Sequence, residues 1–239
     1  MADKLARCIA NNVHLCGAVL APHSLSGTIV DGMWTAAGEL PPYYPNVITV
    51  SSHGAQGQIR TIEGLARALA FPFSVKDSFA ALDLGPLGFR SLFTADWIWR
   101  DPSPLPAPAD SGPWQAITTA DDLAAWETAW RDGGSPADQR IFLPGLLDND
   151  MVTVLATRRG GRIVAGCIAN RSGDVVGLSN FFAIADEWKL HLASAVAAVA
   201  DVAPGSAIVG YERGDTLDAM SSLGFERIGR LCVWLSPER

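Results

Sequence analysis

Charged residues make up only 18% of this 239-residue chain, and no stretch gathers the lysines and arginines that a nucleic-acid-binding surface displays. The nearest approach, Arg158–Arg159–Gly160–Gly161–Arg162, falls where a hairpin turn is expected and reads as a solvated turn. A formal net charge of −7 argues the same way, so nucleic acid is excluded as a partner. Any phosphate-bearing ligand would need a local positive site. Cysteine is scarce: Cys8, Cys16, Cys167 and Cys232 lie within apolar patterns and read as buried free thiols of a reducing compartment. The histidines His14, His23, His53 and His191 are scattered, so no metal is expected. Long apolar runs are also missing. The most apolar helical stretch, Leu190–Val202, is broken by His191 and Asp201 and is well short of the about 20 residues a bilayer needs. No membrane partner is expected, and with no basic segment leading into an apolar one at the start, a cytoplasmic location is. There is no Walker A element, dinucleotide fingerprint or Gly-x-Ser-x-Gly elbow.

Apolar residues, at 49%, are abundant enough for a real core. Proline is concentrated: Asp101 to Pro113, DPSPLPAPADSGP, carries five in thirteen residues, which cannot sustain a helix or a central strand. That composition predicts a semi-extended linker over 101–114, separating residues 1–100 from 115–239. In the second half, Thr118 or Thr119 caps a helix over 120–131, and a short helical stretch follows near 143–147. Strands are expected at 151–157, 162–169 and 174–182. A helix over 187–202 has Trp188, Leu192, Val196 and Val199 on one stripe and mostly alanine opposite. A strand at 206–211, a helix at 215–223 and a strand at 226–235 complete an α/β pattern. In the first half the periodicity predicts a helix over 3–20, weakened by Asn11–Asn12. Strands follow at 27–34 and 46–51, a helix at 59–70, and strands at 73–79 and 90–99.

The halves echo one another. Ser74–Asp77, Leu87–Gly88–Phe89 and Ala95–Trp97 in the first correspond to Val209–Glu212, Leu223–Gly224–Phe225 and Cys232–Trp234 in the second. Lys76 precedes Phe89 by the interval at which Glu212 precedes Phe225. A repeated strand, turn, Gly-Phe, strand order predicts an internal duplication.

The helix, three strands, long helix, strand, helix, Gly-Phe, strand order of 115–239 resembles the GCN5-related N-acetyltransferase (GNAT) superfamily. The most specific stretch runs from Ile208–Val209–Gly210–Tyr211–Glu212 to Leu223–Gly224–Phe225 and Val233–Trp234. The resemblance implies a mixed, mostly antiparallel sheet with helices on both faces, duplicated, with 1–100 an abbreviated copy. It also implies acetyl-CoA or another acyl-CoA as cofactor, a small-molecule or peptide amine as acceptor, and leaves a homodimer open. The cofactor would lie between splayed parallel strands 174–182 and 206–211, against Ser179, Asn180, Phe181 and Phe182, with Lys189 and Arg213 toward its phosphates. Tyr211 and Glu212, at the end of the last central strand, are the catalytic candidates. Trp34, Tyr43 and Tyr44, in and beside a Pro- and Tyr-rich loop, are candidates for the acceptor pocket, and a packed surface loop is the other reading of them.

The sequence departs from the family in two places. Phe182–Lys189 has no glycine where a phosphate-binding turn is usual, and Asp186 and Glu187 would repel a pyrophosphate there. Met220 stands where a tyrosine acid is common, and a thioether has no proton to give. In the first half, Ser51–Gln58 holds the corresponding turn position, with two glycines. An acyltransferase, a non-catalytic binding module on the same fold, and a first half that only buries one face of the second are therefore all expected readings.

Overall fold

Helix α1, Ala2–Leu20, opens the fold with Cys8, Ile9, Leu15, Cys16, Val19 and Leu20 buried along one face. The computed structural model describes residues 2–104, 112–131, 140–184 and 187–238. Asn11 and Asn12, expected to weaken α1, are held by tertiary bonds that outweigh propensity. The Asn11 amide donates to Asn170 O (2.9 Å) and Ser172 Oγ (2.8 Å), and the Asn170 amide donates back to Asn11 O (3.0 Å).

The strand expected over 27–34 is instead a hairpin, β1 (Gly27–Val30) and β2 (Met33–Ala36). Asp31 and Gly32 both take positive φ, 50° and 73°, as the tight turn that suits strand twist requires. Strand β3 (Val47–Thr49) leads to α2 (Ala55–Ala68), which starts four residues earlier than the periodicity suggested, at Gly54 with φ 79°. Gln56, Gly57 and Gln58 are therefore helical. Then come β4 (Ser74–Asp77) and β5 (Arg90–Arg100).

In the second half, β6 (Trp114–Ala116), which the linker reading did not foresee, precedes α3 (Ala120–Trp130). Thr119 caps α3 by accepting from Asp122 N (3.2 Å). Strands β7 (Val152–Arg159) and β8 (Arg162–Ser172) form the expected hairpin, with Gly160 and Gly161 at positive φ. They are followed by β9 (Val175–Ala183), α4 (Trp188–Val202), β10 (Ala207–Glu212), α5 (Gly214–Ser222) and β11 (Glu226–Leu235). Most of the proline-rich segment, 105–111, lies outside the described residues.

Among the described residues eleven strands make one sheet in the order β1-β2-β3-β4-β11-β5-β10-β9-β8-β7-β6. Two neighbouring pairs are parallel, β3 with β4 and β9 with β10, one in each half. Each half's last strand is exchanged: β11 pairs with β4 of the first half, and β5 pairs with β10 of the second. The two exchanged strands pair with each other from Glu226↔Trp99 to Leu235↔Arg90, on an axis relating the halves. The duplication expected from the Gly-Phe echo is present as this mirrored strand order. α1 and α3 cover one face, packing Leu15 and Val19 with Leu123 and Trp126. α4 and α5 cover the other face over the second half, as α2 does over the first. Among the described residues no helix is long and apolar enough to cross a membrane.

The cysteines are buried and unpaired. Burial pushes the Cys8 thiol up to about 12 and raises Cys167 further. Since the thiolate is the nucleophile, these two thiols should resist a disulfide reagent in the native protein and react only on unfolding. Thiol titration with and without denaturant checks this.

Candidate functional site

Strands β9 and β10 pair only from Ala207↔Val175 to Val209↔Gly177. Beyond that rung β9 runs on to Ala183 and β10 to Glu212 without pairing to each other, so the sheet opens between them. The cause lies in β9. Asn180 takes φ 51°, and the register against β8 slips between Gly166↔Phe182 and Ile168↔Ser179, so β9 carries a bulge. A bulge bends its strand and here turns β9 from β10. On the β10 side, Gly210 closes the rung. A Cβ there would stand 2.7 Å from Leu178 O, so only glycine lets the backbones meet where they part.

The four cofactor candidates on β9 divide at this bulge. Phe181 packs on the α4 side, while Phe182 packs edge-on to Trp126 on the α3 side (centroids 5.2 Å). Ser179 Oγ donates to Ile168 O at 3.5 Å, a weak bond. Asn180 supplies the turn itself. Among the described residues the ladder to β10 ends at Gly177, so beyond that rung β10 gives the backbone of 179–182 no ladder partner on that side.

Tyr211 and Glu212 end β10 beside this opening and, as successive strand residues, face opposite sides of the sheet. The Tyr211 ring lies edge-on to Trp97 on the α1 side (5.4 Å). Burial pushes the Glu212 carboxyl up to about 7, only partly opposed by the Arg213 backbone N–H and guanidinium. Arg213 itself is exposed, its guanidinium 4.8 Å from the Phe93 ring centre. Lys189 is exposed over the Trp188 ring at 5.4 Å.

At the start of α4 the expected repulsion takes a definite form. Glu187 is the N-cap residue, and Arg159 from β7 binds both its carboxylate oxygens, at 3.1 and 2.9 Å. That bidentate pair holds the Glu187 carboxyl below its ordinary value. His191, one turn on and fully buried, has Nε2 3.6 Å from Glu187 Oε2. A carboxylate thus sits where a helix terminus would receive an anion. Asp186, the other acidic residue expected there, lies outside the described residues. Met220 is wholly buried against the α4 side.

The equivalent opening in the first half is laced shut. Where β3 and β4 part, Thr49 Oγ1 accepts from Ser78 N (2.8 Å) and donates to Asp77 Oδ1 (3.4 Å), and Trp97 Nε1 donates to Ser78 O (2.9 Å). The Gly54 turn beside it borders a hollow that also includes Asp31, Gly57 and Arg60.

The acceptor-pocket candidates separate. Trp34 is buried, packing with Cys16, Leu20 and Ile48 against the first residue of β1, and belongs to the core rather than to a pocket wall. Tyr43 is exposed, at positive φ, edge-on to Trp130. Tyr44 is half-buried, and burial pushes its phenol well above the ordinary value, with Cys16 and Tyr211 adding to the effect.

Lys76 and Asp77 are neighbours on β4. The two face opposite ways. Asp77 accepts from Phe79 N and Leu82 N, while Lys76 reaches across to Asn12 and Tyr211. Nothing local in the sequence places Lys76 beside Tyr211; that follows from the strand register.

No protein-family model matches the sequence, and no curated protein matches it. Solved structures do share its architecture. A GCN5-related N-acetyltransferase from Kribbella flavida superposes with a TM-score of 0.65 at 15% identity, covering 97% of this chain and 95% of its own. A tandem GNAT protein from the clavulanic acid biosynthesis pathway gives 0.52 at 11% identity, covering 98% and 95%. N-myristoyltransferase from Saccharomyces cerevisiae, with myristoyl-CoA bound, gives 0.52 at 10% identity over 89% of this chain and 65% of its own. The chain therefore has the GNAT fold, duplicated.

Proposed function

We propose that this tandem GNAT fold, with residues 1–100 as the abbreviated copy and 115–239 as the working one, transfers an acyl group from a CoA thioester to an amine. The observation that carries this reading is the opening between β9 and β10, with its bulge at Asn180 and with Glu212 at its mouth. Backbone groups along 179–182, to which β10 gives no ladder partner, fit the amide-bearing arm of an acyl-CoA, whose thioester would supply an activated acyl carbon. Backbone N–H groups there are donors suited to the developing oxyanion. A carboxyl that titrates near 7 is partly ionised at neutral pH. Glu212 can take the proton the amine sheds as its nitrogen bonds the acyl carbon and the carbon–sulfur bond breaks.

The residues at the start of α4 do not fit a diphosphate while Glu187 holds that position. This favours the other reading, a non-catalytic module that binds a ligand through the same opening. Isothermal titration of acetyl-CoA, followed by thiol release with a panel of amines, decides between them. Binding with turnover supports transfer, and binding without turnover supports the module. Absence of any binding would sink transfer.

Glu187→Ser puts a hydroxyl that can cap at the helix start, where the Glu187 side chain makes no capping bond, and removes the carboxylate, freeing Arg159. The affinity for CoA should rise by about tenfold, since a like charge is exchanged for open N–H groups at the positive end of a helix. Unchanged affinity in the same titration would show that the diphosphate does not approach α4.

A further inference from the structure

Lys76 is 4% exposed, and among the described residues no carboxylate lies within ion-pairing reach of it. Removing an ammonium from water without a counter-charge is costly. Its neighbour cannot supply one, because the Asp77 carboxylate is turned to the other face and occupied by Thr49, Phe79 and Leu82. Lys76 Nζ donates instead to two neutral oxygens, Asn12 Oδ1 (2.8 Å) on α1 and Tyr211 Oη (3.3 Å) on β10, and lies 4.5 Å from the Tyr211 ring centre.

The location is special. Lys76 pairs with Val233 and Tyr211 pairs with Trp97. Val233 follows Phe225, and Trp97 follows Phe89, by the same interval in the sequence. By register, Lys76 and Tyr211 are therefore equivalent residues of the two halves, one position off the sequence interval that matched Lys76 with Glu212, and they meet under α1 across the exchanged strands.

Hydrogen-bond direction then decides what the cluster can still do. An ammonium only donates. Its bonds therefore occupy lone pairs on Asn12 Oδ1 and Tyr211 Oη. Three kinds of donor have no partner among the described residues: the third Lys76 N–H, the Tyr211 O–H and the Asn12 amide N–H groups. Asn12 and Tyr211 are half-exposed, so the cluster has a route to solvent. A set of convergent donors with one positive charge suits an anion. From this geometry we infer a carboxylate-binding site formed by Lys76, Asn12 and Tyr211 between the two halves. On the acyl-transfer reading, on which this role alone rests, the carboxylate belongs to the acceptor, which is then an amino acid or a compound of that type. The binding itself does not depend on that reading.

The chain has three lysines, Lys4, Lys76 and Lys189, so side-chain ammonium NMR of the full-length protein can resolve the one in question. Titration with acetate, glycine and succinate at constant ionic strength, with sodium chloride as reference, should move the Lys76 signal saturably and leave Lys4 and Lys189 unmoved. Calorimetry on the same carboxylates should show affinity falling about tenfold or more in Lys76→Gln, and by a smaller factor in Tyr211→Phe and Asn12→Ala. Should the Lys76 variant not fold, the wild-type titration and the two milder variants still decide the matter. Parallel drift of all three lysine signals, or no saturable response in either measurement, would overturn the site. Carboxylate binding without thiol release from acetyl-CoA would leave the site standing and remove acyl transfer as its purpose.

Discussion

Glu212→Gln is expected to make the protein more stable at pH 8 while lowering acyl transfer by about a hundredfold or more. Both effects come from the same burial. The carboxyl is raised from its ordinary 4.5 to about 7, chiefly by desolvation. Below pH 4.5 the folded and unfolded chains both carry the proton, and burial costs nothing extra. Between 4.5 and 7 the folded chain still holds a proton that the unfolded chain has released, so stability falls as pH rises. Above 7 the penalty is complete, about 3 kcal/mol at most for a shift of this size. Glutamine is neutral throughout. Urea unfolding should thus separate variant from wild type at pH 8 and bring them together near pH 4.5. A constant difference across that range would mean that Glu212 is not buried as a charge. Such a penalty at the mouth of the opening is what the proposed catalytic role of Glu212 would account for.

Gly177→Ala should be among the most damaging single-methyl changes in the chain, costing about 2–4 kcal/mol. A Cβ at this position would lie 2.2 Å from Asn11 Oδ1 and 2.3 Å from Asn170 Oδ1. Those oxygens end short side chains with little freedom to move, both buried and tied by the reciprocal bonds that dock α1 on β8. Making room means breaking that pair and leaving buried amides unsatisfied. Gly177 also forms the last rung before β9 and β10 part, so the variant should lose ligand affinity together with melting temperature. Gly173→Ala is the control, since nothing lies within 4 Å of its Cβ position, although its positive φ of 56° adds a modest strain. Equal melting temperatures for wild type and Gly177→Ala would refute the role given to the Asn pair.

The second half was legible because its signals are local. Thr119 before an apolar stripe, Gly160–Gly161 between two alternating runs, and Gly224–Phe225 before a strand each specify an element within a few residues. The Asp31–Gly32 hairpin was equally local in its chemistry, but continuous apolar residues on either side masked it. Strand β6 lies beside a proline-rich segment, and its pairing with β7 depends on residues about forty positions away. The opening between β9 and β10 was placed on the right strands. The bulge at Asn180, the Arg159 clamp on Glu187 and the reach of Lys76 to Tyr211 are matters of register and side-chain direction, which periodicity does not carry. Trp34 shows the converse: an aromatic residue beside a tyrosine-rich loop is as compatible with a core as with a pocket.

The exchange of terminal strands has a consequence for how the protein is made. Residues 1–100 are synthesised before the second half, yet β4 has no inner neighbour until β11 arrives, more than 120 residues later. A growing chain must hold β4 and β5 as open edges, prone to wrong pairing, until β10 and β11 have been made. The middle of the sheet is thus the last part of it to close, and its assembly waits on β11.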